Sequence, residues 1–589
     1  MTAPAPDDTL HWRRALNAAG LLRAFNDAGV LDAADVHVAT RLTAQAEETS
    51  ELVALALALA VRAVRFGSVC VDLRTVATEL DGGELPGAVP WPETDAWLAE
   101  LRRSPLLTER AVLHLEQDRL LYLDRYWREE RQVCEDLVAV RPPPPAVDES
   151  VLTAGLDRVF HRPGSEEQRA AVRIALSQWI TVLTGGPGTG KTTAIAGLLA
   201  LVAEQAEGVG ARRPRIALAA PTGKAAARLQ EAVRTEVGNL GESDRARLAG
   251  LQAVTLHRLL GARMDSSTRF KHHRGNRLPH DLIVVDETSM VSLTMMARLL
   301  EALRPDTRLI LVGDPDQLAS VEAGAVLADL VEGLGARGTG HVAELSTTHR
   351  FGAQIGALAT AIRRGDADQV MEILSAGGEH IEFVRTDNPT EQLREILVPH
   401  ALRVRAAAAA GDVSGAFAAV EAHRLLCAHR DGPVGIRHWN RQVERWLSEH
   451  SGESLWSQWY LGRPVLVTAN DYGLGLYNGD MGVTVLAGGA LRVAIAGAEQ
   501  VQDFATSRLA DVETMHAMTI HKSQGSQADE VTVLMPPQDS RLLTRELFYT
   551  AVTRAKSRVR VVGTEAEVRA ALARRVVRAT GLRQRLRDS

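Results

Sequence analysis

Apolar residues recur every third or fourth position over 10–28 and again over 40–64, a spacing that predicts amphipathic helices near the start of the chain. Two short apolar runs, 111–115 and 119–123, are separated by Glu116, Gln117 and Asp118 and predict a hairpin. Four prolines at 142–145 then form a stiff spacer. Beyond them the pattern changes. Compact apolar runs at 180–183, 215–219, 282–285 and 309–312 each end in a polar or glycine-rich loop and alternate with helical periodicity. That alternation predicts a parallel α/β sheet with its site at the carboxyl ends of the strands. A second set of such signals, at 424–427, 531–534 and 559–562, predicts a second parallel-sheet unit. Inside it, short strands at 464–468, 482–486 and 491–495 are divided by Asn-Asp, Asn-Gly-Asp and Gly-Gly turns, the pattern of a small inserted β-barrel. The expected organisation is a mostly helical N-terminal domain with a hairpin over 1–141, a first α/β domain over 142–352, and a second over 353–589 with the barrel at 462–503.

A length of 589 residues is enough for three to five domains with substantial cores. The formal charge of −6 excludes a general coat of positive charge, so any nucleic-acid binding must be confined to a groove. Cys70, Cys134 and Cys427 lie far apart in no metal spacing and read as reduced core thiols. The longest apolar run, 52–61, is half the length of a membrane span and ends at Arg62, and the acidic start is unlike a secretory signal. The expectation is a soluble, cytoplasmic protein with no membrane partner. Among 67 basic residues only five are lysine: Lys191, Lys224, Lys271, Lys522 and Lys556. A compact ammonium and a planar guanidinium are not interchangeable where geometry is tight, so these five positions are candidates for sites where arginine fails.

Chemistry concentrates first at Gly185, Gly186, Pro187, Gly188, Thr189, Gly190, Lys191, Thr192 and Thr193, a phosphate loop between a predicted strand and a predicted helix. Backbone amides there close around phosphate oxygens, Lys191 reaches the β- and γ-phosphates, and the Thr192 hydroxyl ligates Mg²⁺. At the end of another strand, Asp286 is placed to hold the same Mg²⁺ and Glu287 to polarise the attacking water. Gln317, after a further strand, offers an amide that senses the γ-phosphate; the alternative is a turn in which Asp314 and Pro315 only terminate that strand. Gln168 either reads an adenine edge or completes a capping box with Ser165. Arg350 and Arg554 are candidates for arginines that reach the γ-phosphate from a domain interface. Thr222 and Lys224 open a second glycine-containing loop suited to backbone phosphates, and His257, Thr519, His521, Lys522 and Ser523 lie in short polar loops suited to single-stranded DNA.

These blocks stand in the order and spacing of the superfamily 1 helicases, and the chain resembles the RecD family in particular. The resemblance rests on 220–229, 462–482 and 543–556, with 119–130 similar to the end of the RecD N-terminal domain, and covers the chain from about 110 onward, with a weaker match before that. It implies two RecA-like motor domains, and a 5′→3′ single-strand DNA motor driven by ATP with Mg²⁺. It also implies a subunit working beside a RecB-like helicase-nuclease and a RecC-like scaffold in processing double-strand breaks. Lys191, Thr192, Asp286, Glu287, Gln317, Arg350 and Arg554 match the family's ATPase positions, and Thr222, Lys224, His257, Thr519, His521 and Ser523 its DNA-contact blocks. The segment 525–529 departs from the family, which has an acid and an aromatic after Gly-Ser. Stand-alone RecD-like helicases share every core motif but carry a longer N-terminal extension, and an ATP-gated structural subunit is a third reading. No clustered carboxylates stand in nuclease spacing, which assigns nuclease activity to a partner. The basic stretch 569–587 is expected to be a docking or packing helix.

Overall fold

The computed structural model describes all residues except 1–12, 81–88, 145, 264–265, 339, 348–352, 453–456, 472 and 498–500. Helix Glu51–Arg65 is apolar nearly all round, and it is buried accordingly: Leu55, Leu57 and Leu59 are each 1% exposed or less, with Phe25 and Trp97 packed in the same core. Against it lies a three-stranded antiparallel sheet in the order Cys70–Asp72, Leu120–Leu123, Leu113–Glu116. The last two strands are the predicted hairpin. Gln117 and Asp118 at its tip both have positive φ, 51° and 50°, the backbone a tight hairpin with right-handed strand twist needs.

The first large sheet is six-stranded and parallel, in the order Val342–Leu345, Ile180–Gly185, Arg308–Gly313, Leu282–Val285, Ile216–Ala220, Ala253–Thr255. Its four central strands are the four apolar runs legible in the sequence. The two edge strands are not, because burial on only one side lets Glu344 and Thr255 interrupt the apolar pattern. The second sheet is also parallel, in the order Ile381–Arg385, Ala555–Gly563, Ala528–Leu534, His423–Cys427, Ala517–Thr519. The expected inserted strands are present, but as an open five-stranded antiparallel sheet, ordered Val501–Ala505, Ala490–Ala496, Met481–Ala487, Pro464–Val467, Val512–Thr514. Its two end strands do not pair with each other, so closure into a barrel is not seen.

Cys70, Cys134 and Cys427 are all buried free thiols. Among the described residues no helix is long and apolar enough to cross a membrane. The basic C-terminal stretch ends in helix Leu582–Asp588, which packs on helix Val326–Ala336 of the first sheet's layer and on helix Asp124–Val138. Gly333 permits that approach, since a Cβ there would lie 2.8 Å from the Leu586 Cβ. At the junction Glu130 is fully buried and accepts from the Tyr122 hydroxyl (3.1 Å), the Thr580 hydroxyl (3.0 Å), the Gly581 amide (3.1 Å) and Arg585 Nε (3.1 Å). A buried carboxylate so satisfied is costly to remove, because the Tyr122 hydroxyl, the Thr580 hydroxyl and the Gly581 amide lose their acceptor and Arg585 keeps only Glu116 among the described residues. Glu130→Ala should therefore destabilise the junction by about 3 kcal/mol, visible in urea unfolding as an earlier transition and faster proteolysis after residue 573. Unchanged curves would mean that this contact does not hold the N-terminal layer.

Candidate functional site

The phosphate loop joins strand Ile180–Gly185 to helix Lys191–Gly208. Gly188 and Gly190 have φ of 82° and 84°, which only glycine adopts without strain. Gly185 is needed for a different reason: a Cβ there would fall 2.5 Å from Thr189 Oγ1 and 2.6 Å from the Leu345 carbonyl oxygen. Lys191 Nζ turns back into the loop and donates to the carbonyls of Gly185 (2.6 Å) and Gly186 (2.8 Å). Burial lowers its pKa, and the facing carboxylates of Asp314, Asp286 and Glu287 work against that shift. Thr192 and Thr193 follow in the first helical turn, half-buried at the loop's mouth. Gln168 is buried, and its Nε2 donates to the Thr189 carbonyl at 3.2 Å. The Ser165 hydroxyl is spent on the Phe160 and Arg162 carbonyls, so the alternative capping box does not form.

Strand Leu282–Val285 delivers the two acids. Burial and the adjacent Glu287 charge push the Asp286 carboxyl up to about 6. The Glu287 amide donates to Asp286 Oδ1 at 2.9 Å. Glu287 itself has φ 51° and ψ 41°, a left-handed conformation unusual for a residue with a Cβ. Strain of this kind persists where the surroundings over-determine it, and here it turns the carboxylate toward the loop's side of the sheet.

Arg554, from the second sheet's side, meets Gln317, from the first. The guanidinium is 3% exposed and donates through Nη2 to Gln317 Oε1 (2.8 Å) and through Nε to the Thr550 carbonyl (3.1 Å). Gln317 Nε2 in turn donates to Asp314 Oδ2 at 3.0 Å, so the amide donates and accepts at once. Burial lowers the Arg554 pKa, with the Glu287 charge opposing. Sequence reasoning missed Tyr549, whose hydroxyl donates to Asp314 Oδ2 at 3.0 Å and would stand 3.1 Å from a Cβ on Gly186. It also treated Asp314 as at most a strand terminator, whereas this carboxylate gathers Tyr549, Gln317 and the Asp316 amide. Two more bonds seal the seam: Leu318 amide to the Thr550 hydroxyl (2.9 Å) and Gln524 Nε2 to the Leu318 carbonyl (2.7 Å). Arg350 lies outside the described residues.

The expected DNA-contact blocks fall into two kinds. Thr222 caps helix Gly223–Gly238 by accepting from the Ala225 amide, and Thr519 caps the turn 520–523 by accepting from the Lys522 amide. The Ser523 hydroxyl is committed to the Ile520 carbonyl at 2.7 Å. These side chains shape loops. The cations are different. Lys224 Nζ faces the Met481 thioether at 3.6 Å, and burial together with Arg424 pushes its pKa well down. Arg424, which the sequence did not single out, also points at Met481 (3.0 Å), and burial lowers it to about 10. Lys522 is held by Glu513 at 3.0 Å, and the same carboxylate takes Arg430 at 2.6 Å. His257 is exposed near the Phe270 ring, and burial lowers the His521 pKa.

Three family profiles match the chain: an AAA domain over 163–385, which runs past the first sheet to strand Ile381–Arg385 of the second, a UvrD-like helicase C-terminal domain over 514–562, and the N-terminal domain of RecBCD enzyme subunit RecD over 27–122. The RecBCD enzyme subunit RecD of Mycolicibacterium smegmatis is 67% identical over 97% of this chain and 99% of its own length. The chain belongs to the RecD family. The weaker match before residue 110 is thus part of the same family likeness. The ATP-dependent RecD2 DNA helicase of Deinococcus radiodurans is 30% identical, over 79% of this chain and 58% of its own length. Among solved structures, Bacteroides Pif1 bound to ssDNA covers 68% of this chain and 91% of its own at 17% identity and a TM-score of 0.37, too loose a likeness to bear on the site.

For this RecD-family chain, Arg554→Ala should leave nucleotide affinity within a few-fold while cutting turnover by roughly 10³-fold, measured by nucleotide titration and steady-state hydrolysis. A large loss of affinity with little loss of turnover would contradict the placement of Arg554.

Proposed function

We propose that the chain is an ATP-dependent 5′→3′ single-strand DNA translocase and helicase. It acts as the RecD-like subunit of a cytoplasmic helicase-nuclease complex that processes double-strand breaks for recombination repair. The observation that carries this reading is the Arg554–Gln317 contact at 2.8 Å, which couples the two parallel-sheet lobes beside the phosphate loop. Nucleotide arriving there is read by both lobes at once, and its hydrolysis alters how they meet.

The residues fit ATP with Mg²⁺. Thr192 in the first helical turn and Asp286 at a strand end would hold the ion, which when bound neutralises charge on the β- and γ-phosphates. Lys191 exchanges two neutral carbonyls for phosphate oxygens, a favourable exchange for a desolvated ammonium. Glu287 orients the attacking water, Gln317 senses the γ-phosphate, and Arg554 stabilises the charge that develops on it. Gln168, tied to the loop at Thr189, is the candidate reader of the adenine edge. Lys224, His257 and the 519–523 turn line the DNA side. A RecB-like helicase-nuclease and a RecC-like scaffold are the proposed partners, supported by the 67% identity to a protein named as a RecBCD subunit, with residues 1–141 as the docking layer.

Lys191→Ala should abolish DNA-stimulated ATP hydrolysis while the circular dichroism spectrum and the partner subunits co-purified from the native host stay as in wild type. Hydrolysis at the normal rate would defeat the motor reading. A wild-type chain that purified alone and unwound 5′-tailed duplexes processively would replace the subunit reading with an autonomous helicase.

A further inference from the structure

Helix Ile436–Ser451 covers one face of the second sheet with Trp439, Val443 and Trp446, and turns Arg437, Arg441 and Arg445 outward. These three arginines, with His438 and Gln442, line a groove of about 470 Å³. Like charges four residues apart destabilise a helix, so the row is not explained by the helix's own stability. Only its ends are partly neutralised: Arg437 pairs with Asp431 at 2.7 Å and Arg445 with Glu449 at 3.7 Å. Arg441, in the middle, has no carboxylate partner among the described residues.

The row is continuous with the proposed DNA side. Lys522 of the 519–523 turn and Arg430 share Glu513, the Arg437 amide donates to the Arg430 carbonyl at 3.0 Å, and the Arg437 charge also acts on Glu513. Asn440, on the buried side of the same helix, bonds Ala517 and Thr514 at the base of that turn. Lys522, Arg430 and Arg437 thus gather around one carboxylate, Glu513, and the row runs on along the helix from Arg437 to Arg445. The arginines repeat once per helical turn, about 6 Å, close to the repeat of phosphates along an extended strand.

We propose that the Arg437–Arg441–Arg445 row is a secondary binding site for the sugar–phosphate backbone of single-stranded DNA, engaging the strand beyond the proposed contacts at Lys224 and the 519–523 turn. The site rests on the DNA-motor reading and extends it. Contacts of this kind are sequence-independent and salt-sensitive.

The test uses the full-length chain and two oligo-dT probes, one of about eight nucleotides, enough for the proposed contacts at Lys224 and the 519–523 turn, and one of about twenty. Affinities are measured against salt. Replacing all three arginines with alanine should leave the short probe unaffected, weaken the long one about 10-fold at low salt, and make its salt slope shallower by about 2. Arg441→Ala alone should produce about a third of that slope change, and Arg441→Lys should keep the wild-type slope. Equal losses on both probes, or no loss on the long one, would overturn the site. Normal DNA binding with failure to co-purify with partner subunits would assign the surface to a protein instead, and also overturn it. Wild-type chain that binds neither probe would defeat the DNA-motor reading itself, a result distinct from any of these.

Discussion

The Arg554 guanidinium is buried against neutral acceptors only: the Thr550 carbonyl, the Gln317 amide oxygen and, more distantly, the Ser526 carbonyl at 3.4 Å. A buried cation without a direct counter-ion is expensive, and burial accordingly lowers its pKa. What keeps it there is a field rather than a bond. Glu287 and Asp314 stand near enough to favour the charge, and Asp314 is fixed by Tyr549 and Gln317. The seam between the lobes is thus built around an incompletely neutralised charge at the mouth of the phosphate loop. On the proposed reading a γ-phosphate would supply the missing anion while it is bound, which would tie lobe contact to nucleotide state.

Lys191 obeys the same constraint on the other side of the loop. It occupies two carbonyls in place of phosphate oxygens, and burial lowers its pKa as well. Asp286 is displaced in the opposite sense, to about 6, because burial and Glu287 crowd negative charge at the strand end. Burial thus lowers the pKa of the two cations and raises that of the acid, and the opposite charges of Lys191 and Asp286 offset part of each other's shift. On the proposed reading, nucleotide with its metal ion would bring negative charge to the two cations and positive charge to Asp286 at once.

Much of this was legible in the chain. The phosphate loop, the acid pair after 282–285 and the central strands announce themselves locally, through glycine spacing and apolar runs. The lysine count added something independent: Lys191, Lys224 and Lys522 do occupy constrained places. Lys556, however, forms an exposed pair with Asp529 at 3.2 Å and owes nothing to tight geometry. What the sequence could not disclose are partners that meet only in the folded chain. Tyr549 and Asp314 are 235 positions apart, and Gln317 and Arg554 are 237 apart. No periodicity or motif spacing encodes such contacts. Edge strands and the openness of the inserted sheet were hidden for a related reason, since they depend on what covers the edge.

The DNA side repeats the logic of the nucleotide side. Lys224 comes from the first lobe and Arg424 from the second, and both face Met481 of the inserted sheet with no carboxylate in hydrogen-bonding reach. Each lowers the other's affinity for a proton only if they are close, and the Lys224 shift has Arg424 as its main electrostatic cause. Lobes in contact therefore bring two desolvated cations together beneath a thioether, an arrangement that a backbone phosphate would stabilise and its loss would weaken. On the proposed reading, contact between the lobes would be favoured by anions at two separate places, one on the fuel and one on the track, and ATP and DNA would be coupled through electrostatics at a shared seam.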